Sequence, residues 1–265
     1  MSVTVPRKNK TKAKMLAGEI PVGVFLFDPS PRIVELCGAL GFDYVLYDAE
    51  GGPVNHMLAE ELARAADAVG ITPIIRPLSH DPKSIGQYFD SGFQGVLIPA
   101  IDTAAQARSV AAAARYHPQG TRGLGPARAA LYGHVAPYAE FVKAANDEAL
   151  VLGMIEHVDA LKELGAILDT PGIDGFEIGT WDLAASMGHA GNAGHPDVQA
   201  VVATILGEAK KRNLSVGYTL SNFEQAQERL ASGYRRLSLS FNGVVAAALR
   251  SLGGQIQGAI DGLKP

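Results

Sequence analysis

The chain has 265 residues, of which 47% are hydrophobic, 19% charged and 7% aromatic, and its formal net charge is −4 at pH 7. Its one cysteine, Cys37, excludes an internal disulfide framework and any zinc site built from cysteines alone. No apolar run reaches the roughly 18 residues a membrane span needs, and an acidic balance has the wrong sign for neutralising nucleic-acid phosphates. The expectation is a cytoplasmic α/β domain that handles small molecules, long enough to bury its core without a structural metal.

The chain opens on a basic run of Arg7, Lys8, Lys10, Lys12 and Lys14. Glu19 and Pro21 interrupt what a secretory signal would need as a continuous apolar core. Residues 1–20 therefore read as an N-terminal capping segment, a frayed start followed by a short amphipathic helix. Eight short apolar runs follow, at 21–27, 43–48, 72–77, 95–100, 149–156, 172–179, 214–220 and 234–240. Each is rich in Val, Ile, Leu or aromatics and is bounded by Gly, Pro or Asp, as strands buried on both faces are. Helical patterns separate them, clearest over 56–69, 103–116 and 195–212, with alanine-rich faces suited to close packing on a sheet. Eight strands each followed by a helix predict a closed (β/α)8 TIM barrel, a single α/β domain over 1–265. A doubly wound open sheet is the competitor, and it usually has five or six strands. One irregular stretch, from His117 to Pro137, holds four glycines and three prolines. Long ordered loops of this kind are often functional.

In such a barrel the active site is built where the C-terminal ends of the strands converge. That rule selects Asp48 and Glu50 after the second run, Arg76 at the end of the third, Glu156 at the end of the fifth, and Asp182 after the sixth. A carboxylate directly after the apolar VLGMI is costly to bury unless it is paired or holds a metal. Glu156 and Asp182, from neighbouring strands, suit a hard divalent cation such as Mg²⁺, with Mn²⁺ or Co²⁺ also compatible. Arg76 offers a fork of donors of fixed charge for a carboxylate or a developing enolate oxygen. Spacing alone leaves a second reading open, in which these residues are ion pairs at the barrel mouth and bind no substrate.

The segments FDYVLYDAEGGPVN, PIIRP, ARYHPQGTRGLG, GMIEHVDAL and DGFEIGTWDLAASMGHAG, followed by HPDVQ, resemble the HpcH/HpaI aldolases from about Val22 to Gly233. These are class II, metal-dependent pyruvate aldolases related to the citrate lyase β-subunit. The resemblance implies that Glu156 and Asp182 are metal ligands and that Arg76 binds the keto acid and stabilises its enolate. It places the backbone amides of Gly179, Thr180, Trp181 and Asp182 around the pyruvate carboxylate, with Met154 beside the substrate. It also implies a hexamer, a trimer of dimers, with C-terminal helices within 241–265 exchanged between subunits and Asp90 reaching toward a neighbour's site. Three positions depart from the family's pattern. Gly51 stands where the motif D-x-E-H-x-P has a histidine that works with the aspartate as an acid/base pair. Met154 replaces a glutamine, and Trp181 replaces a small residue. The binding half of the site is kept and the proton-transfer half is altered.

The implied activity is that of a divalent-metal-dependent carbon–carbon lyase, an aldolase, acting on a 2-oxo acid through a pyruvate-type enolate. Asp48 and Glu50 are then expected to order a water that replaces the missing histidine as proton carrier. An oxaloacetate-type decarboxylase or a citrate-synthase-like condensing enzyme on the same site is the alternative, and a non-catalytic keto-acid-binding homologue is another. Among the remaining candidates, His56 is a substitute base or a capping residue, and His157 either supports the metal or makes a structural contact. His189 and His195, in GHAGNAGHP, give a weak metal signal, and His80, His117 and His134 read as loop residues. Arg122 and Arg128 flank Gly123-Leu124-Gly125, which lacks the third glycine of a dinucleotide motif and the Lys-Ser/Thr of a P-loop. That loop is expected to shape the mouth, its arginines meeting a distal substrate carboxylate. Cys37 reads as a small core residue.

Overall fold

The structure is a computed structural model that describes residues 6–135, 137–220 and 222–263. Among the described residues there are eight parallel strands: β1 (Val22–Leu26), β2 (Tyr44–Asp48), β3 (Thr72–Arg76), β4 (Gly95–Ile98), β5 (Leu150–Ile155), β6 (Gly175–Ile178), β7 (Ser215–Leu220) and β8 (Arg236–Ser240). They pair in sequence order and close β8 onto β1. The expected barrel is the barrel found, and each predicted run contains its strand. Among the described residues nine α-helices cover its outside: α2 (Pro31–Ala39), α3 (His56–Val69), α4 (Pro82–Ser91), α5 (Ala104–Ala113), α6 (Tyr138–Glu148), α7 (Leu164–Leu168), α8 (Thr180–Ser186), α9 (Pro196–Lys211) and α10 (Glu224–Ser232). A further helix sits at each end, α1 (Lys10–Leu16) and α11 (Phe241–Asp261). No described helix is long and apolar enough to cross a membrane.

Local signals explain the helix limits. Asn55 caps α3 through its side chain, and Gly70, in the left-handed region at φ 71°, ends it. Thr103 and Gln106 form a reciprocal capping box on α5. Phe25, Leu46, Ile74, Leu97, Leu152 and Met154 fill the barrel interior, so the barrel is a packed core and only its mouth is open to ligands.

The opposite end is closed by the capping segment. The Asn9 side-chain amide donates to the carbonyls of Gln94 and Glu148, and the Thr11 hydroxyl donates to Asp43 O. Lys12 Nζ reaches Ala149 O at 2.7 Å and pairs with Asp174 at 3.1 Å. These partners precede four different strands, so the segment ties their starts together. Residues 1–5 of the expected cap lie outside the described residues.

Two expectations are corrected here. The described part of the 117–137 stretch lies between α5 and α6, so it returns the chain to a strand start and sits away from the mouth. Arg122 pairs with Asp90 at 2.6 Å and lies over the Tyr116 ring, while Arg128 pairs with Asp67 and donates to Ser91 O. Both arginines are engaged on the outer wall, and within this chain neither meets the mouth. The C-terminal segment, expected as several helices, is one helix, α11, with no buried residue. Val245, Leu249, Leu252, Ile256 and Ile260 form an exposed apolar stripe along it. Residues 264 and 265 lie outside the described residues.

Candidate active site

The register of β2 and β3 sets Asp48 beside Arg76, the last residue of each strand. Arg76 donates from Nε and Nη2 to the two oxygens of Asp48, both at 2.8 Å. Glu50 adds a carboxylate oxygen 3.2 Å from Nε. Burial opposes the charge on Arg76, but the carboxylates of Asp48, Glu50 and Glu156 outweigh it and raise its pKa. The guanidinium is thus a fixed cation, held edge-on by a fully buried carboxylate.

Glu156 follows β5 directly. Ala100, after β4, adopts a left-handed φ of 47°, rare outside glycine, and its N–H donates to Glu156 Oε1 at 2.7 Å. A Cβ on Gly179 would lie 2.5 Å from Glu156 Oε2, so glycine leaves the room that this carboxylate occupies at the start of α8. Burial above all pushes the Glu156 carboxyl up to about 7, opposed by the Ala100 N–H and reinforced by the charges of Asp182 and Glu50. Asp182 sits in the first turn of α8 and stays exposed.

These groups line one cavity of about 600 Å³ at the mouth, whose walls include Glu50, Arg76, Asp102, Glu156, His157 and Asp182. The structure thus gathers Arg76, Glu50, Glu156 and Asp182 as expected from the strand-end rule. It differs at Asp48. Both Asp48 oxygens are bound by Arg76, Oδ1 also accepts from Glu50 N, and the side chain is fully buried. Asp48 is not part of the cavity wall, and of that expected pair Glu50 alone reaches the opening.

The substrate-side residues are spread more widely. Met154 lies under Arg76, with Sδ 3.7 Å from Nη1. Trp181 is 66% exposed and outside the cavity wall. The Gly179 amide donates to Ile155 O at 3.0 Å, which removes it from the expected carboxylate cradle and leaves the amides of Thr180 to Asp182. A Cβ on Gly51 would stand 2.9 Å from Asp48 Oδ2, so a side chain there would touch the aspartate. His56 is exposed, packs 5.5 Å from the Tyr88 ring and does not line the cavity. His157 does line it, and its Nδ1 accepts from Asp159 N at 3.2 Å, so the neutral ring carries its proton on Nε2. His80 is tied to Pro99 O at 2.6 Å.

Sequence reasoning missed Asp102. It lines the same cavity, and its Oδ1 is buried with no hydrogen-bond partner. The signal was available, because Asp102 follows the fourth run by two residues. Among the described residues, four carboxylates therefore line a cavity whose one arginine is already paired with Asp48. Excess negative charge, oxygen donors from two neighbouring strand ends and an unpartnered buried carboxylate oxygen fit a hard divalent cation.

A family model described as HpcH/HpaI aldolase/citrate lyase matches residues 22–248. A 2-keto-3-deoxy-L-rhamnonate aldolase of Shigella sonnei (strain Ss046) is 37% identical over 227 residues, covering 85% of this chain and 84% of that one. Among solved structures, an HpcH/HpaI aldolase/citrate lyase family protein from Burkholderia cenocepacia J2315 superposes with a TM-score of 0.88 at 26% identity, over 94% of this chain and 100% of that one. An HpcH/HpaI aldolase from Desulfitobacterium hafniense DCB-2 gives 0.85 at 26% identity, over 96% and 97%.

Proposed function

Because the chain belongs to the HpcH/HpaI aldolase/citrate lyase family and is a carbon–carbon lyase of the aldolase class, we propose that its substrate is a 4-hydroxy-2-oxo acid of the 2-keto-3-deoxy sugar-acid type. Cleavage yields pyruvate and a hydroxyaldehyde. The reading rests on the single cavity in which Glu156 and Asp182 face an arginine clamped by Asp48.

Glu156 and Asp182 hold a divalent cation, with Mg²⁺, Mn²⁺ and Co²⁺ all compatible with the donor set. When bound, such an ion supplies Lewis-acid polarisation of the keto group. Arg76 meets the oxygen that becomes anionic as the C3–C4 bond breaks, and Asp48 keeps the guanidinium from turning away. The amides opening α8 face the carboxylate of the keto acid. Cleavage also requires the C4 hydroxyl proton to leave. Glu50, at the cavity wall and beside Arg76, accepts it in the place of the absent histidine, with Asp102 as the neighbouring carboxylate. The exposed stripe on α11 supports an assembly of like subunits, a hexamer in which this helix is exchanged.

Gly51 favours a second reading. Decarboxylation of an oxaloacetate-type diacid, or a condensation on the same site, needs no hydroxyl proton removed at the start. Proton NMR of pyruvate in D₂O, with Mg²⁺ and an EDTA control, separates the two when combined with cleavage of 2-keto-3-deoxy-L-rhamnonate and an oxaloacetate assay. Metal-dependent loss of the methyl signal with cleavage supports the aldolase reading. CO₂ release without exchange supports the second, and neither activity refutes both.

A further inference from the structure

Asp102 lines the cavity from the turn after β4. Among the described residues its carboxylate accepts from no donor and forms no ion pair, and its Oδ1 is buried. We infer that Asp102 is a specificity-determining residue: it accepts a hydrogen bond from a hydroxyl beyond C4 of the substrate, and so selects keto acids with an uncharged, hydroxylated tail over those that end in a second carboxylate. This rests on the aldolase reading above and assigns the end of the substrate that the metal and Arg76 do not touch.

The turn that carries Asp102 is fixed at every amide. Ala100 N donates to Glu156 Oε1 at 2.7 Å and Ile101 N to Met154 O at 2.9 Å. Asp102 N and Thr103 N both donate to Gln106 Oε1 at 2.9 Å, and Gln106 is itself held in the capping box of α5. The Asp102 side chain thus leaves a rigid backbone into the cavity wall.

Two ordinary roles do not account for this carboxylate. Capping is one, but the cap of α5 is Thr103, one residue further on. Metal ligation is the other. Among the described residues, the donor atoms of Asp102, Glu156 and Asp182 do not all lie within 4.8 Å of one another, as ligands of one ion would. A half-buried carboxylate oxygen without a partner is costly, and a ligand hydroxyl that donates to it removes the cost.

Strand order gives its place along the substrate. The metal pair and the amides for the keto-acid carboxylate follow β5 and β6, so the rest of the substrate extends toward the ends of β2, β3 and β4. Glu50 follows β2, Arg76 ends β3, and Asp102 lies beyond β4, across Arg76 from Glu50. Glu50 takes the C4 hydroxyl, and Asp102 is left for the hydroxyl beyond it. Charge supplies the repulsive half of the selection. Arg76 is the one cation on the described wall and is paired with Asp48, so a second substrate carboxylate would meet Glu50 and Asp102 with no counterion.

The test is cleavage by the full chain with Mg²⁺ of three substrates alike from C1 to C4, with pyruvate release as the readout. 2-Keto-3-deoxy-L-rhamnonate carries a tail hydroxyl at C5, 4-hydroxy-2-oxopentanoate has a methyl tail, and 4-hydroxy-2-oxoheptanedioate ends in a carboxylate. Ratios of kcat/KM between substrates cancel whatever a variant does to the shared chemistry. Asp102→Ala should lower the hydroxyl-to-methyl ratio by about 10- to 150-fold, the worth of one hydrogen bond to a charged group, and raise the diacid-to-methyl ratio. Asp102→Asn, equal in volume and still an acceptor, guards against misfolding. It should raise the diacid ratio too and lower the hydroxyl ratio less. Ratios unchanged in both variants, or a native preference for the diacid, overturn the inference and leave the aldolase reading standing. A native enzyme that cleaves none of the three overturns that reading, and the inference with it.

Discussion

Arg76→Lys isolates the shape of the guanidinium from its charge. In the native site two donors, Nε and Nη2, each make a 2.8 Å bond to Asp48, which leaves Nη1, whose partner among the described residues is the weakly accepting Met154 sulfur, to meet substrate. A lysine ammonium keeps the charge, but it cannot grip both Asp48 oxygens and still present a donor at the same point. The variant therefore loses at least one charge-assisted hydrogen bond, worth about 1.5–3 kcal/mol. At 1.36 kcal/mol per decade, that is a loss of about 10- to 150-fold in kcat/KM. Because the missing bond belongs to an oxygen that is anionic only as the bond breaks, the loss should fall mainly on kcat, with KM nearly unchanged. The assay is methyl-proton exchange of pyruvate in D₂O, followed at several pyruvate concentrations. A lysine variant exchanging at the native rate would refute the role given to the fork, and a change confined to KM would reassign Arg76 to ground-state binding.

Further outcomes follow from neighbouring residues. The Glu156 carboxyl is raised in the fold from its ordinary 4.5 to about 7. The folded state therefore binds the extra proton across that window, and the metal-free protein should lose about 3 kcal/mol of stability as pH rises through it. Glu156→Gln should be the more stable protein at pH 8 in EDTA and show no advantage near pH 4.5, as read by urea unfolding; the reverse order contradicts the assignment. Gly51→His puts an imidazole against Asp48, whose carboxylate must first yield because the added Cβ lies 2.9 Å from Oδ2. A gain in pyruvate exchange on the order of 10²-fold is expected if a positioned base is what the site lacks, and a folded variant with no gain argues that Glu50 already suffices. Leu249→Glu with Leu252→Glu charges the α11 stripe and should lower the mass measured by light scattering, whereas an unchanged mass means that α11 does not hold the assembly together.

The barrel was legible because strands buried on both faces must be nearly continuous apolar runs, and no other element of this chain reads that way. Where the runs overshoot, turn geometry is the reason: the 172–179 run begins early because Gly172, at φ 89°, is still turning before β6 starts at Gly175. The 56–69 helix was legible to the residue, since its cap, Asn55, and its stop, Gly70, are local signals. Four of the cavity's charged residues were legible from a topological rule about strand ends. What escaped were properties of pairs. Whether Asp48 is free or already bound by Arg76 depends on side-chain reach across a register that spacing does not specify. That Asp102 has a buried oxygen without a partner is visible only once its neighbours are in place. The 117–137 stretch was misplaced for a plainer reason: a segment that follows a helix leads to a strand start, away from the mouth.

The clasp that closes the far end of the barrel has a bearing on how the chain is made. Asn9 and Lys12 leave the ribosome early, yet the groups they grip are Gln94, Glu148, Ala149 and Asp174. At about 5–20 residues per second, Lys12 waits roughly 8–30 s for Asp174 to be synthesised. Throughout that interval the nascent basic segment that forms α1 is without its seat, while the early strands present open edges beside it. A segment made before the strands it clasps is thus among the last to settle, and its docking marks a chain that has reached the start of its sixth strand.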